Sequence, residues 1–577
     1  MLIERRRPAR LSASHAVWLS LLGAGALWLV LLVRMRWQPI LADEVQVYLS
    51  AVNWPNGPMR VNPPLYIYAM KLAFEIFGQS VSSARLPGVL GGYATLLLIP
   101  IVTRLALGNT DRAQWTAVVA IWFYALSPVA VQNMMILGID NSLLTPALLV
   151  LVAVWLIADQ RPPWQRVAML TLILALTLWI KLLSPFLTMG AIGLYYLLRG
   201  QFKRMLEVAA ATALGFSLFW ITIQIDVTHN YLFGYTGGQL SRLNILLPDN
   251  VQFMAITFPQ ASGILVLWLS LPLVLLIAIA LLRSIRRWFK RRATALDGIA
   301  LYATLATIAY ALVIYPAWGY PYYHTPFVPL LIILAAEVLT PALENLPRPA
   351  WLTLSLTTAG AFLYNLIAVG DPLLRLYLLT FETVTSQVSL RLQQGLRDVL
   401  RIAVPLPVAL IAGWFIAPRV QVRRSQLLLA LLGALTIASL AGATLAQVSA
   451  RYSTRYRYGY NYDDMLAAAA RVREHAGPQG FVAALDDVLF YTGLNGEGIY
   501  GMATQLINWT GNRPSESLLE LLRQRRVDAL VWTTKEVTRN ADILNTPELK
   551  QRLAACYTQE QYGVFLVYLR RTDIHCP

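Results

Sequence analysis

The chain has 577 residues, of which 57% are hydrophobic and only 13% charged, against roughly 25% charged in a soluble domain. That balance excludes an ordinary soluble enzyme, and the hydrophobicity excludes a disordered chain. The net charge of +17 sits in short basic clusters between apolar runs, a membrane-topology pattern rather than a nucleic-acid footprint, so the natural class is a polytopic α-helical membrane protein.

Apolar runs predict helices near 16–36, 85–105, 113–132, 141–158, 167–180, 184–198, 207–224, 261–282, 298–315, 322–340, 350–368, 402–418 and 425–447. This amounts to about thirteen spans. Arg5, Arg6, Arg7 and Arg10 precede the first run, and no small-residue cleavage site follows it, so it reads as an uncleaved helix rather than a signal peptide. The runs at 167–180 and 184–198 are short and are separated by Lys181 and Ser184-Pro185, which leaves two spans or a bent, re-entrant pair. Basic residues alternate in side. Arg104 and Arg112, Arg161 and Arg166, Arg199 to Arg204, Arg283 to Arg292, Arg348, and Arg419 to Arg424 fall on the side of the N-terminus. That side is expected to be cytoplasmic. Arg34 and Arg36, at the other end of the first run, read as snorkelling side chains or anion contacts.

The opposite side carries long loops at 37–84, 225–258 and 369–401. Loops of that length are functional or disordered, and their aromatic, amphipathic content predicts ordered interfacial helices, with Trp54, Tyr66 and Tyr68 in the headgroup layer. The membrane domain is expected to span 1–447 and to include the loop 37–84. From 448 to 577 the composition turns soluble. There Arg451-Tyr452, Arg455-Tyr456 and Arg457-Tyr458 read as an interfacial belt or as contacts to anionic lipid. A helix near 463–475, a strand at 481–485, a helix at 514–525 and strands at 528–533 and 563–569 predict a small extracytoplasmic α/β domain. Cys556 and Cys576 can pair there in an oxidising compartment.

The first long loop opens Leu41-Ala42-Asp43-Glu44-Val45. Two adjacent carboxylates beside an apolar span are an ordinary solvated turn, or else a base or metal ligand facing a cavity. Asn62-Pro63-Pro64-Leu65-Tyr66, Phe77-Gly78 and Ser83-Ala84-Arg85-Leu86-Pro87 follow in order. Together these elements resemble the GT-C fold glycosyltransferases, in the branch with the protein O-mannosyltransferases and the aminoarabinose transferases of lipid A. Further on, 229–243 and the Tyr-x-x-Pro-x-x-Pro segment from Tyr323 to Pro329 are similar to a later outer loop and a late helix start of that family.

The resemblance implies an inverting transfer of a sugar from a polyprenyl-phosphate donor to a hydroxyl of a glycan, lipid or protein on the outer face. Membrane lipids are further partners, and nucleic acid is not. It makes Asp43 the base, with Glu44 orienting it, contacting acceptor or supporting a divalent metal; no cofactor beyond such an ion is implied. Arg60, Lys181 and Arg242 are candidates for the donor phosphate, and Lys181 also reads as a snorkelling lysine. Asp140 is a sugar contact or an N-cap. Asn62, Tyr323 and His229 are candidates for sugar or acceptor, Tyr323 otherwise an aromatic-belt residue and His229 otherwise a metal ligand. Aminoarabinose transferases carry Lys where Asn62 stands, a basic residue near Gly319-Tyr320, Lys-Gly-Pro where this chain has Lys181-Leu182-Leu183, and His where Gln239 stands. A different sugar or acceptor is therefore expected. Two other classes stay open: a transporter or flippase of lipid-linked substrates, for which no internal repeat is seen, and a non-catalytic membrane scaffold, which would tolerate loss of Asp43.

Overall fold

A segment in hydrocarbon can satisfy its own backbone groups only as a helix, so long apolar runs become helices. The computed structural model describes residues 12–40, 43–53, 64–138, 143–225, 269–309, 325–369, 403–449, 461–498, 514–524, 526–534, 537, 544 and 546–573. Contacts group them into two units, Met1–Arg36 with Ser50–Ser449, and Trp37–Leu49 with Ala450–Pro577. The first long loop is thus divided between units, where the sequence reading kept 37–84 whole within the membrane domain.

The described helices before residue 450 are α1 (Ala13–Met35), α2 (Asp43–Val52), α3 (Leu65–Phe77), α4 (Val81–Leu107), α5 (Asp111–Ala125), α6 (Pro128–Met135), α7 (Leu144–Ala158), α8 (Pro163–Leu178), α9 (Leu183–Leu198), α10 (Phe202–Ile225), α11 (Leu271–Phe289), α12 (Ala295–Ala309), α13 (Val328–Leu343), α14 (Arg348–Val369), α15 (Pro405–Ile416) and α16 (Arg424–Ser449). Every apolar run named above overlaps one of them. Six (α1, α4, α10, α13, α14 and α16) are long and apolar enough to cross a membrane, and the bent pair α5–α6 makes a seventh. Helix starts follow local chemistry: the hydroxyls of Ser12, Ser80 and Thr110 accept from the backbone N–H of His15, Ser83 and Ala113. Gly78 and Gly108, at φ of 79° and 83°, end α3 and α4.

Of the two arrangements left open around Lys181, the runs form two helices, α8 and α9, and a sharp bend lies further back in the chain. α5 and α6 meet at 60° across Leu126-Ser127-Pro128, where proline removes a donor and frees carbonyls. Both freed carbonyls are used. The Trp28 indole N–H donates to Ala125 at 2.8 Å, and the Thr444 hydroxyl to Leu126 at 2.7 Å. α6 lies against α4 at Gly92, where an added Cβ would fall 2.4 Å from Cγ of Met134. Gly92→Val is expected to destabilise the protein by about 1–3 kcal/mol, read as a lowered thermal midpoint in detergent. An unchanged midpoint would show that the two backbones have room to spare.

Ion pairs join the short basic connections at one end of this unit. Arg112 at the start of α5 meets Glu337 of α13 at 3.0 Å; Arg166 pairs with Glu207, and Arg204 with Asp159. Arg287 of α11 reaches Asp297 at 2.7 Å. Asp297 is fully buried and also accepts from the Thr294 backbone N–H at 2.8 Å, so it caps α12 while holding α11.

The second unit holds α17 (Tyr462–Ala476), β1 (Phe481–Ala484), α18 (Asp486–Thr492), β2 (Asn495–Gly498), α19 (Pro514–Gln524), β3 (Ala529–Thr533), α20 (Pro547–Cys556), β4 (Tyr557–Tyr562) and β5 (Phe565–Arg570). The strands form one sheet in the order β2-β1-β3-β5-β4. β1 runs parallel to β2 and β3, and β5 antiparallel to β3 and β4. Successive side chains leave opposite faces, and both faces are apolar. Val482, Ala484, Val531, Phe565 and Val567 pack with α17, whereas Ala483, Leu530, Trp532 and Leu566 pack with α19 and α20. Strands covered on both sides therefore read as continuous apolar runs. Cys556, at the end of α20, is disulfide-bonded; Cys576 lies outside the described residues.

On this sheet Arg471 of α17 grips both carboxylate oxygens of Glu560 on β4, at 2.8 to 3.1 Å. The Arg471 hydrogen bonds, more than burial opposes, hold the Glu560 carboxyl below the ordinary carboxylate range. A depressed carboxylate stabilises the fold above its unfolded pKa and loses that contribution as pH falls through the folded value. Glu560→Gln is expected to cost about 0.5–1 kcal/mol at neutral pH, since solvent screens a pair of this exposure. The gap in thermal midpoint between wild type and variant should begin to close near pH 4, about the ordinary glutamate range, and vanish as pH falls through the lower folded value; an equal gap at neutral and strongly acid pH would remove the pair from the stability of this unit.

Candidate active site

α3 begins just after the Pro63-Pro64 pair, and its first backbone N–H has no partner within the helix. The Leu65 N–H donates instead to the carbonyl of Trp179 at 3.1 Å, in the turn between α8 and α9. The indole N–H of the same Trp179 donates to the Thr222 hydroxyl near the end of α10, at 3.2 Å. One tryptophan thus ties together the end of the first long loop, the α8–α9 turn and the helix leading into residues 226–268. Lys181 stands two residues further along that turn and is only 4% exposed. A lysine so enclosed does not simply snorkel to water.

The start of α9 continues the cluster. The Thr188 and Tyr302 hydroxyls pair at 2.7 Å, and the Tyr302 ring meets Phe327 edge-on at 5.8 Å. Phe327 lies just beyond Tyr323 and His324 in the chain. On the other flank, Arg85 of α4 is 4% exposed and its Nε–H donates to the Met135 carbonyl at 3.0 Å. The C-terminal end of α6 carries the negative end of its dipole, so a guanidinium there both pairs charge and satisfies a freed carbonyl. Gln132 and Asn133 of α6 are also buried. Arg85 stands in Ser-Ala-Arg-Leu-Pro, and a charge near the start of a long apolar helix was the signal that could have found it.

In the second unit, α2 opens on Asp43, whose backbone alone is described. Glu44 is fully buried. Lys71 of α3 is exposed. Arg60, Asn62, Asp140, His229, Arg242 and Tyr323 lie outside the described residues. Among the described residues no three His, Cys, Asp or Glu side chains stand together as a metal site.

Comparison with known proteins adds three findings. Residues 61–224, which include the Pro-Pro-Leu-Tyr segment, Arg85 and Lys181, match the family model of the dolichyl-phosphate-mannose-protein mannosyltransferases. No curated protein sequence matches the chain. Two solved structures are similar over nearly the whole length: ArnT from Cupriavidus metallidurans in the apo state, and the same protein bound to undecaprenyl phosphate. Each is 14% identical with a TM-score of 0.53, covering 98% and 97% of this chain and 100% and 99% of theirs. The chain therefore matches the dolichyl-phosphate-mannose-protein mannosyltransferase model at 61–224 and is similar in fold to ArnT along nearly its whole length.

Proposed function

We propose that this protein is an inverting glycosyltransferase that moves a sugar from a polyprenyl-phosphate carrier to a hydroxyl acceptor (glycan, lipid or protein) on the outer face of the membrane. The observation that carries the reading is the family match at 61–224 inside a fold shared end to end with ArnT, one structure of which holds undecaprenyl phosphate. We also propose thirteen spans, one for each apolar run. The ion-paired basic end is cytoplasmic under the positive-inside rule, so residues 448–577 are extracytoplasmic.

The chemistry follows from the donor. Its isoprenoid tail stays in hydrocarbon while its phosphosugar meets the interface. The acceptor oxygen attacks carbon one of the sugar from the face opposite the phosphate. The carbon–oxygen bond to phosphate breaks, and polyprenyl phosphate leaves with the bonding pair. Asp43 takes the acceptor proton, and Glu44 supports it. Lys181, Arg60 and Arg242 neutralise the departing phosphate. Asn62, Asp140, His229 and Tyr323 contact sugar or acceptor. Lys181 suits its role because a buried ammonium attracts an anion more strongly than a solvated one.

The test is purification in native-like lipid, mass spectrometry of co-purified lipids, and transfer assays with polyprenyl-phosphate sugars. A co-purified polyprenyl phosphosugar and a product of inverted anomeric configuration are expected. Translocation of the intact donor with its glycosidic bond uncut would instead identify a flippase.

A further inference from the structure

The segment Trp37–Leu49 groups with Ala450–Pro577 although the 400 residues of Ser50–Ser449 separate them. Its contacts bracket the acidic pair. Before the pair, the Trp37 ring meets Tyr462 of α17 edge-on at 5.8 Å, and the Ile40 backbone N–H donates to the Tyr491 hydroxyl of α18 at 2.8 Å. After the pair, the Tyr48 ring meets Phe490 of α18 edge-on at 5.1 Å, and Phe490 and Tyr491 pack edge-on at 5.1 Å. Ile40 is fully buried, so its N–H requires a partner. Glu44 and Tyr48 are one helical turn apart on the same face of α2. Asp43 precedes Glu44 by about 100° around the helix and so lies on a different face.

From this arrangement we propose that the C-terminal unit positions the acidic pair, with Tyr491 and Phe490 as positioning residues. Glu44 shares the docking face with Tyr48, and Asp43 takes a position on a different face of the same helix. A short ten-residue helix is marginal by itself. Anchoring it at Ile40 and Tyr48 fixes both its entry and its first turns, and so sets where the backbone of Asp43 stands. The C-terminal unit is then part of the catalytic apparatus, acting through α2. The inference rests on the reading of Asp43 as the base.

The experiment uses the full-length protein in lipid nanodiscs. Tyr491→Phe deletes one hydroxyl and keeps the ring; Phe490→Leu removes the Tyr48 contact; Glu560→Gln, on the edge strand β4, is the control. Hydrogen exchange of peptides covering 37–49 is compared with kcat and KM, using undecaprenyl phosphate-linked hexose as donor. Tyr491→Phe and Phe490→Leu are expected to speed exchange in 37–49 and to lower kcat about tenfold, a misplacement effect, with KM for the donor little changed. Glu560→Gln should alter neither. Unchanged exchange in both α18 variants overturns the anchoring. Faster exchange with wild-type kcat overturns the positioning role while Asp43→Asn still abolishes transfer. Full activity in Asp43→Asn sinks the underlying assignment instead, and the exchange data report on the anchor either way.

Discussion

Asp43→Asn is expected to lower kcat for sugar transfer by about 10²- to 10⁴-fold, the usual worth of a positioned general base. Asparagine suits this test because it separates the two roles open to the residue. Asp43 is the first residue of α2, and a carboxylate there favours the helix through the dipole and by accepting backbone N–H bonds. Asparagine keeps the size and the hydrogen-bonding oxygen, and it caps helices about as well as aspartate. It cannot take a proton from an alcohol. If Asp43 only helped α2 to form, the asparagine variant would transfer sugar at close to the wild-type rate. If it is the base, the rate collapses while donor binding, measured by co-purified lipid, persists. Glu44→Gln is the companion measurement. A smaller fall there, with faster hydrogen exchange in 37–49, would separate support from chemistry.

The helices were legible because hydrocarbon demands long apolar segments, and such segments have few other structures available. Boundaries inside them were not. The break at Ser127-Pro128 falls within an apolar run, and what makes it tolerable is Trp28 and Thr444 reaching the freed carbonyls from about a hundred and about three hundred residues away. No local pattern announces such a rescue. By contrast, Lys181 lies in the turn between two separate helices, α8 and α9, while Ser184-Pro185 stand in the first turn of α9. In the second unit, the strands at Phe481–Ala484, Ala529–Thr533 and Phe565–Arg570 carry apolar side chains on both faces and declare themselves. β2 reads Asn-Gly-Glu-Gly, with no strand propensity, and is a strand because β1 pairs with it. β4 is largely polar, an edge strand with one side to water, and takes its register from β5.

Candidate residues can be picked out where chemistry is local. Adjacent carboxylates, a Pro-Pro pair and an isolated lysine are visible in a few residues. Pairings across the chain were not. The bond from Arg85 to Met135 joins two helices of different runs. The hydrogen bond from Ile40 to Tyr491 spans most of the sequence. Each depends on where folding brings a backbone group, which a sequence window does not contain.

Lys181→Met is expected to lower kcat/KM for the polyprenyl-phosphate donor by about 10²- to 10³-fold, the loss seen when a positioned group that stabilises developing charge is removed. Methionine keeps the length and the apolar stem of lysine and deletes only the ammonium. Removing one member of a buried charged contact leaves the other uncompensated and costs about 3–5 kcal/mol, so a purely structural Lys181 would show as a lowered thermal midpoint, and a phosphate contact as lost activity at a midpoint close to wild type. The turn that carries Lys181 is also held by the Leu65 N–H on the Trp179 carbonyl and by the Trp179 indole on Thr222. Methionine should therefore leave the surrounding backbone in place, and the measured loss would report the charge. Lys181→Arg should recover part of the rate, since a guanidinium also pairs with phosphate but with a different reach and planar geometry. Added salt should weaken donor binding less than for an exposed lysine, because a group only 4% exposed is poorly screened. A methionine variant that keeps the wild-type kcat/KM would remove Lys181 from the phosphate site and leave it as a buried helper of the α8–α9 turn.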